Sequence, residues 1–335
     1  MSTPLSNQHA DSSSVSSVLG GAVIGRTREA DVVLAALATR RHVLLEGPPG
    51  TGKSTLLRAV AEELARPLFL VEGNAELTPA RLLGAFDPAQ VLNSGYTADA
   101  FVDGPLLSAM RSGGLLYVEE INRVPEETLN VLITAMSERE ANVSRLGRVV
   151  AVPGFTVVAA MNPFDAVGTA RISGAVYDRT CRVTMGYQSA AEEVAIAARA
   201  VASVFVELGG AGVDAATSMD ESDTARLTKV VEMVRATRSH PDIRQGASVR
   251  AAIDLEVLCR QLAMQRVDAE GAAISRNDAD VTRDAALAAL SGRIRLFEGS
   301  GRSADDVVSE LWRRYFGAAT TTTPPAASGG KDVAR

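Results

Sequence analysis

The sequence predicts an α/β protein: a five-stranded parallel sheet between helices, followed by a small all-α domain. Three observations carry that expectation. A glycine-rich, phosphate-binding pattern sits between a strand-length apolar run and a helix-patterned segment. Further short apolar runs alternate with helical stretches, and two of them end in acidic or amide side chains. Beyond Gln188 the strand pattern stops and helical spacing takes over.

The pattern is Gly47-Pro48-Pro49-Gly50-Thr51-Gly52-Lys53-Ser54, which fits G-x-x-x-x-G-K-[ST]. Val43-Leu44-Leu45-Glu46 precedes it as a strand. Thr55 to Leu64 follows as a helix, with Leu56, Leu57, Val60, Ala61 and Leu64 at helical spacing. The residue types explain the chemistry. Glycines let the backbone turn inward and aim several N–H groups at one anion, and the new helix adds its positive end there. Lys53 reaches the β- and γ-phosphates, and the Ser54 hydroxyl can ligate Mg²⁺.

A length of 335 residues accommodates a nucleotide-binding domain and one smaller domain. Hydrophobic residues make up 46% and aromatic ones 4%, so the expected core is large and aliphatic. A net charge of −6 and a pI of about 5.3 argue against a general nucleic-acid footprint. No apolar run approaches the length of a membrane span. Residues 1–20 are Ser-rich, without a basic start or an apolar signal core, and read as a disordered arm. Cys181 and Cys259 lie far apart without metal-ligand spacing, which suits a reducing compartment and buried structural roles. Cytoplasmic is therefore the default expectation.

In chain order, a helix is expected from Glu29 to Thr39, and Pro67 to Val71 is the second strand. Leu77 to Leu83 is helical, with Thr78 as cap and Pro79 in the first turn. Phe86 to Phe101 reads as a hairpin around Asn93-Ser94-Gly95. A helix from Gly104 to Arg111 ends at Ser112-Gly113-Gly114. Leu115 to Val118 is the third strand, and Pro125 to Glu140 a helix with Leu129, Leu132, Ile133 and Met136 on one face. Asn142–Ser144 and Val149–Val152 flank Arg145-Leu146-Gly147-Arg148 as a second hairpin. Phe155 to Ala160 is the fourth strand and Arg182 to Met185 the fifth. Helices follow at about 190–207, 223–239, 247–265, 278–290 and 304–316, with Gly209–Gly212 separating the first two. The domains expected are an arm over 1–20, an α/β nucleotide domain over 21–188, a helical lid with a C-terminal helix over 189–316, and a disordered tail over 317–335.

In open α/β sheets, ligands sit outside the carboxyl ends of the strands. Glu119-Glu120 ends the third strand and Asn162 follows the fourth. An apolar strand ending in two acids, after a phosphate loop, reads as a Walker B element. Glu119 holds Mg²⁺, directly or through water, and Glu120 orients the water that attacks the γ-phosphate. Asn162 holds that water or the γ-phosphate. Glu119 stands where Asp is usual, so the site must accommodate one extra methylene.

Gly47 to Ser54, Glu119-Glu120-Ile121-Asn122-Arg123 and Asn162-Pro163 together resemble an AAA+ ATPase of the MoxR family. Leu129–Leu132, Ala135–Glu140, Gly168-Thr169, Asp178-Arg179 and Gly246–Arg250 extend the resemblance, which covers roughly residues 20–290. It implies the AAA+ P-loop NTPase fold with sheet order 5-1-4-3-2, a helical lid, ATP with Mg²⁺, and a homo-oligomeric ring, usually a hexamer. It identifies the two hairpins as an insert within the second helix and one before the sensor-1 strand, both facing the pore or a partner. By position, Asn162 matches sensor 1, Arg179 the arginine finger given in trans, and Arg250 sensor 2. Ile24-Gly25 matches the adenine-side contact, and Asn74 is placed to restrain Glu120. Arg171, Arg182 and Arg244 are rivals for the arginine roles. The family usually has an apolar residue after the finger, whereas this chain has Thr180-Cys181-Arg182. Met161 to Arg171 resembles the subgroup associated with maturing molybdenum hydroxylases.

The reading that follows is an ATP-driven remodelling chaperone. It acts on a client protein with a separate von Willebrand factor A (VWA) domain partner, often to insert a metal or cofactor. Two alternatives stand beside it: a nucleotide-gated scaffold that scarcely needs hydrolysis, and a DNA-directed motor. Against the motor count the acidic pI and a Phe86–Phe101 segment without Lys or Arg; Arg145 and Arg148 of the second hairpin count for it.

Overall fold

A computed structural model describes residues 19, 21–163, 173–208, 220–266 and 274–317. The chain divides into two compact units that meet between Ile196 and Ala197.

The first unit is built on a five-stranded sheet of β1 (His42–Glu46), β2 (Leu68–Glu72), β5 (Leu115–Glu119), β8 (Thr156–Met161) and β9 (Thr180–Thr184). All pairings are parallel and the order is β2-β5-β8-β1-β9. Counting only these strands, that is the 5-1-4-3-2 order the resemblance implies. β1 and β8 are buried along their whole length, as central strands covered on both faces must be. Alternation divides their side chains between two cores. Val43 and Leu45 join Tyr117, Val158 and Ala160 under α1 (Thr27–Ala38) and α2 (Lys53–Glu63). Leu44 joins Leu116, Val118, Val157 and Ala159 on the opposite face, under α5 (Pro105–Ser112) and α6 (Glu126–Glu138). His42 ties three elements at the amino end of the sheet. Its Nδ1 accepts from the Val157 N–H at 2.9 Å, so Nε2 carries the proton and donates to the Met136 carbonyl at 3.2 Å. Burial pushes its pKa below the ordinary histidine value.

Three local expectations are corrected. The fifth strand starts two residues early, at Thr180, because Thr180 to Thr184 pairs with all of β1, from His42 to Glu46. The Phe86–Phe101 segment is not a hairpin about Asn93-Ser94-Gly95. Its flanks β3 (Gly84–Phe86) and β4 (Phe101–Asp103) do pair antiparallel, but α4 (Pro88–Ser94) fills the span between them. The Asp87 carboxylate caps that helix by accepting from the Ala89 and Gln90 N–H groups, Pro88 opens it, and Gly95 closes it with φ +76°. Cys181 is exposed rather than buried, because β9 is an edge strand. The other helices expected in this unit are present, including α3 (Pro79–Leu83), whose Thr78 hydroxyl accepts from the Arg81 N–H.

The second expected hairpin is present as β6 (Glu140–Val143) and β7 (Gly147–Val150). Its turn sets the Arg145 guanidinium over the Tyr96 ring at 3.7 Å, and Arg148 pairs with Glu140. Both arginines that favoured nucleic acid are thus engaged within the protein.

The second unit is helical, with α9 (Glu221–Ala236), α10 (Val249–Gln265), α11 (Ala279–Leu290) and α12 (Ala304–Phe316); α8 (Ala190–Glu207) begins before the boundary. Two short strands, β10 (Ile243–Gln245) and β11 (Arg295–Leu296), pair antiparallel and are too short to leave a period in the sequence. A buried ionic cluster joins α9 to α10. Arg226 bonds both Glu256 oxygens, at 3.0 and 2.6 Å, and Asp223 at 2.7 Å, while Arg260 bonds Glu256 at 2.8 Å. Among the described residues no helix is long and apolar enough to cross a membrane. The arm over 1–18, Gly168-Thr169, Arg171, the Gly209–Gly212 separator and the tail from 318 lie outside the described residues.

Candidate active site

The phosphate loop connects β1 to α2, as the sequence requires. Gly50 and Gly52 hold φ of +73° and +84°, left-handed values that cost other residues free energy. Gly47 is required for a different reason: a β-carbon there would stand 2.1 Å from the Met185 carbonyl oxygen. The loop therefore runs close against the chain that follows β9. Thr51 is fully buried, and its hydroxyl donates to the Pro48 carbonyl at 3.0 Å. Lys53 Nζ donates to the Gly47 and Pro48 carbonyls at 2.8 Å each, which holds the ammonium over the loop. Pro49 and Thr55 are exposed.

Ser54, in the first turn of α2, hydrogen-bonds the carboxylate of Glu119 at the end of β5. The Tyr117 hydroxyl lies 3.2 Å from the same Ser54 oxygen, and burial raises the Tyr117 pKa, so the phenol stays protonated. The site thus accommodates the extra methylene of Glu119. Ser54 and Glu119 are hard oxygen donors in contact, the donor chemistry Mg²⁺ takes. They fit the cation that accompanies a nucleoside triphosphate, which when bound would neutralise charge on the phosphates.

Glu120 is in the left-handed region, with φ +50°, unusual for a side-chain-bearing residue. Its carboxylate pairs with Arg123 at 2.9 Å. Asn74 does not restrain it: the Asn74 amide donates to Glu72 and its carbonyl accepts from the Glu76 N–H, which closes its own turn. Asn162 follows Met161, whose carbonyl accepts from the Gly47 N–H at 3.2 Å, so it stands next to the mouth of the loop. Ile24 is half-buried, and Gly25, with φ +69°, packs against the Glu192 carboxylate.

The arginines divide. Arg179 follows α7 (Gly174–Asp178) and directly precedes β9, whose first residue pairs with the first residue of β1. It therefore sits at the amino end of the sheet, while its own phosphate loop sits at the carboxyl end. Its side chain donates to the Ser137 hydroxyl and to the Ala175 carbonyl. Arg182 pairs with Glu46 at 2.5 Å. Arg250 is exposed in the first turn of α10, in the second unit, and Arg244 is exposed on β10.

Several residues at the site were not expected from the sequence. Tyr117 could have been found, because period two puts it on the same face as Glu119. Glu46, buried at the end of β1, accepts from the Tyr177 hydroxyl at 2.8 Å as well as from Arg182. Arg26 bonds the loop itself. Neither left a local signal, since their partners are distant in sequence.

A phosphate loop at the head of a parallel 5-1-4-3-2 sheet, with an acidic pair at the neighbouring strand end and a helical C-terminal region, defines a P-loop ATPase of the AAA+ class. A match to a known domain family agrees. The family model of the AAA domain, dynein-related subfamily, matches residues 42–180. An uncharacterized protein of Staphylococcus epidermidis is 30% identical over 229 residues, which cover 68% of this chain and 81% of that protein. An uncharacterized Staphylococcus aureus protein matches with the same identity and coverage. This chain belongs to one family with those staphylococcal proteins, and its matched segment is an AAA domain. Among solved structures, the Thermotoga maritima RuvB Holliday junction branch migration motor aligns at 18% identity over 79% of this chain and 68% of that one, with a TM-score of 0.47. An ATPase candidate from Cytophaga hutchinsonii aligns at 20% identity over 90% and 93%, with a TM-score of 0.46.

Proposed function

We propose that the chain hydrolyses ATP at the interfaces of a homo-oligomeric ring and uses the resulting motion to remodel or mature a client protein, in the manner of the MoxR family. The observation that carries the reading is the meeting of Ser54 with Glu119, one residue before Glu120, at the mouth of the phosphate loop. Lys53 and the loop N–H groups bind the phosphates. Ser54 and Glu119 hold Mg²⁺. Glu120 orients and polarises the attacking water, and Asn162 steadies it.

Arg179 acts in trans. Its place at the amino end of the sheet supports this, since that end is remote from its own loop. A neighbour's nucleotide then receives the guanidinium, which must leave Ser137 to reach it. Arg250 contributes from the helical block over 189–316, which acts as a lid. The insert over 84–103 and the β6–β7 hairpin pass the motion to the client, with a separate VWA-domain protein as partner. Leu92 and Tyr96 are exposed on the insert, at 88% and 54%, as a contact element requires. A cytoplasmic location belongs to this reading.

The test is the ATPase rate against protein concentration for wild type, Glu120→Gln and Arg179→Ala. Specific activity should rise with concentration and be lost in each variant, by about a hundredfold or more. It should return in part when the two variants are mixed, because one subunit then supplies the finger and its neighbour the glutamate. A rate independent of concentration, or a silent Arg179→Ala, removes the shared site.

A further inference from the structure

Arg26 follows the Gly25 turn and is 4% exposed. Its Nη1 donates to Glu29 Oε1 at 2.7 Å. Its Nη2 donates to two main-chain carbonyls, those of Thr51 at 2.8 Å and Gly186 at 2.5 Å. Thr51 lies within the phosphate loop, and Gly186 belongs to the segment after β9. One side chain therefore holds together three stretches of chain that are far apart in sequence.

Burying a guanidinium is unfavourable, and here Nε is buried without a hydrogen-bond partner among the described residues. An apolar side chain would avoid both penalties. What it could not supply is the bond to the Thr51 carbonyl. That carbonyl belongs to the peptide between Thr51 and Gly52, and the loop has a left-handed glycine on each side of Thr51. Glycine leaves such a peptide free to rotate. Across a trans peptide the C=O and N–H point in opposite directions. Fixing the Thr51 oxygen toward Arg26 therefore turns the Gly52 N–H to the side opposite Arg26.

We propose that Arg26 is a positioning residue for the phosphate loop: by holding the Thr51 carbonyl, it sets the Gly52 N–H in advance for the phosphates of a nucleoside di- or triphosphate. The inference rests on the loop binding nucleotide. Setting the donor beforehand removes an ordering cost from binding, so the effect appears as affinity. Arg26 need not touch the nucleotide.

The experiment titrates the full-length chain with a fluorescent ADP analogue, at a temperature where circular dichroism finds each variant folded. The variants are Arg26→Met, which keeps much of the apolar stem, and Arg26→Lys, which keeps the charge but loses the fork that joins Glu29 to the two carbonyls. Arg28→Ala removes an exposed charge two residues away, and Lys53→Ala reports on the loop itself. Arg26→Met should bind about tenfold more weakly or worse, the scale of a lost charged hydrogen bond. Arg26→Lys should fall between Arg26→Met and wild type, and Arg28→Ala should stay within about twofold of wild type. A merely structural Arg26 would lower the melting temperature and leave the affinity of folded protein unchanged. Wild-type affinity in folded Arg26→Met overturns the proposal; if that variant does not fold, wild-type affinity in Arg26→Lys does so. Wild-type protein that binds no ADP, or Lys53→Ala that binds it normally, instead removes the nucleotide reading on which the proposal stands.

Discussion

Gly73 and Glu120 meet at the carboxyl end of the sheet. The Gly73 N–H donates to the Glu119 carbonyl at 2.8 Å, and a β-carbon on Gly73 would stand 2.3 Å from the Glu120 carbonyl oxygen. The left-handed turn at Glu120 has room only because residue 73 has no side chain. Gly73→Ala should therefore move Glu120 and lower the ATPase kcat more than it weakens nucleotide binding. It should also cost about 1–3 kcal/mol in stability, as overpacking does. Steady-state kinetics and a urea titration measure both, and an unchanged kcat would show that the turn does not position Glu120.

The contact between Ser54 and Glu119 predicts where Mg²⁺ dependence lies. Ser54→Ala and Glu119→Gln should each raise the Mg²⁺ concentration needed for half-maximal ATPase activity, by about ten- to a hundredfold. ADP binding without metal should change little. Equal Mg²⁺ activation in wild type and both variants would falsify the metal assignment.

His42 should make stability depend on pH. Its pKa is lowered in the folded state from 6.5, chiefly by burial, and both ring nitrogens are engaged in the neutral form. The unfolded chain therefore binds a proton more readily. The stabilisation is complete above about pH 6.5 and is lost as pH falls from there toward the folded value, with a limiting slope of about 1.4 kcal/mol per pH unit. Urea unfolding of wild type and His42→Asn between pH 7.5 and 5 checks this. The variant should be less stable at the upper end and should lack the histidine part of the slope.

The two thiols should differ in reactivity. Cys181 is exposed on the edge strand, whereas burial and then the nearby Glu256 carboxylate push the Cys259 thiol up to about 12. A maleimide reagent should label one cysteine in the native protein and both in denaturant. Mass spectrometry of the digest should place the native label on Cys181. Rapid native labelling of Cys259 would contradict its burial.

The ionic cluster of the second unit sets a stability test. Glu256 is fully buried and accepts from both Arg226 and Arg260. Glu256→Gln leaves those guanidiniums under-paired and should cost about 3–5 kcal/mol, read by thermal and denaturant unfolding. A loss below about 1 kcal/mol would mean that Asp223 and solvent compensate.

Much of the site was legible because its chemistry is contiguous. The phosphate loop is eight consecutive residues, and Glu119-Glu120 closes an uninterrupted apolar strand. The insert departs from its sequence expectation for a local reason. Asn93-Ser94-Gly95 matches a hairpin turn, while the stronger signal, Asp87-Pro88 opening a helix that Gly95 closes, lies on either side of it. Cys181 departs from its expectation for a global one. Nothing in Thr180-Cys181-Arg182 tells an edge strand from a central one.

The sequence by itself determined the class of fold, the loop, the acidic strand end and the switch from strands to helices. Each of these is written in local spacing, where backbone geometry ties neighbouring residues to one period or one turn. Tertiary structure alone decided that Arg26 holds Thr51, that Glu46 accepts from Tyr177 and Arg182, that Gly73 makes room for Glu120, and that Arg123 rather than Asn74 pairs with Glu120. Most of these join residues far apart along the chain. Parallel strands linked by helical crossovers bring such residues to one sheet end, and no short-range pattern records which side chains meet there.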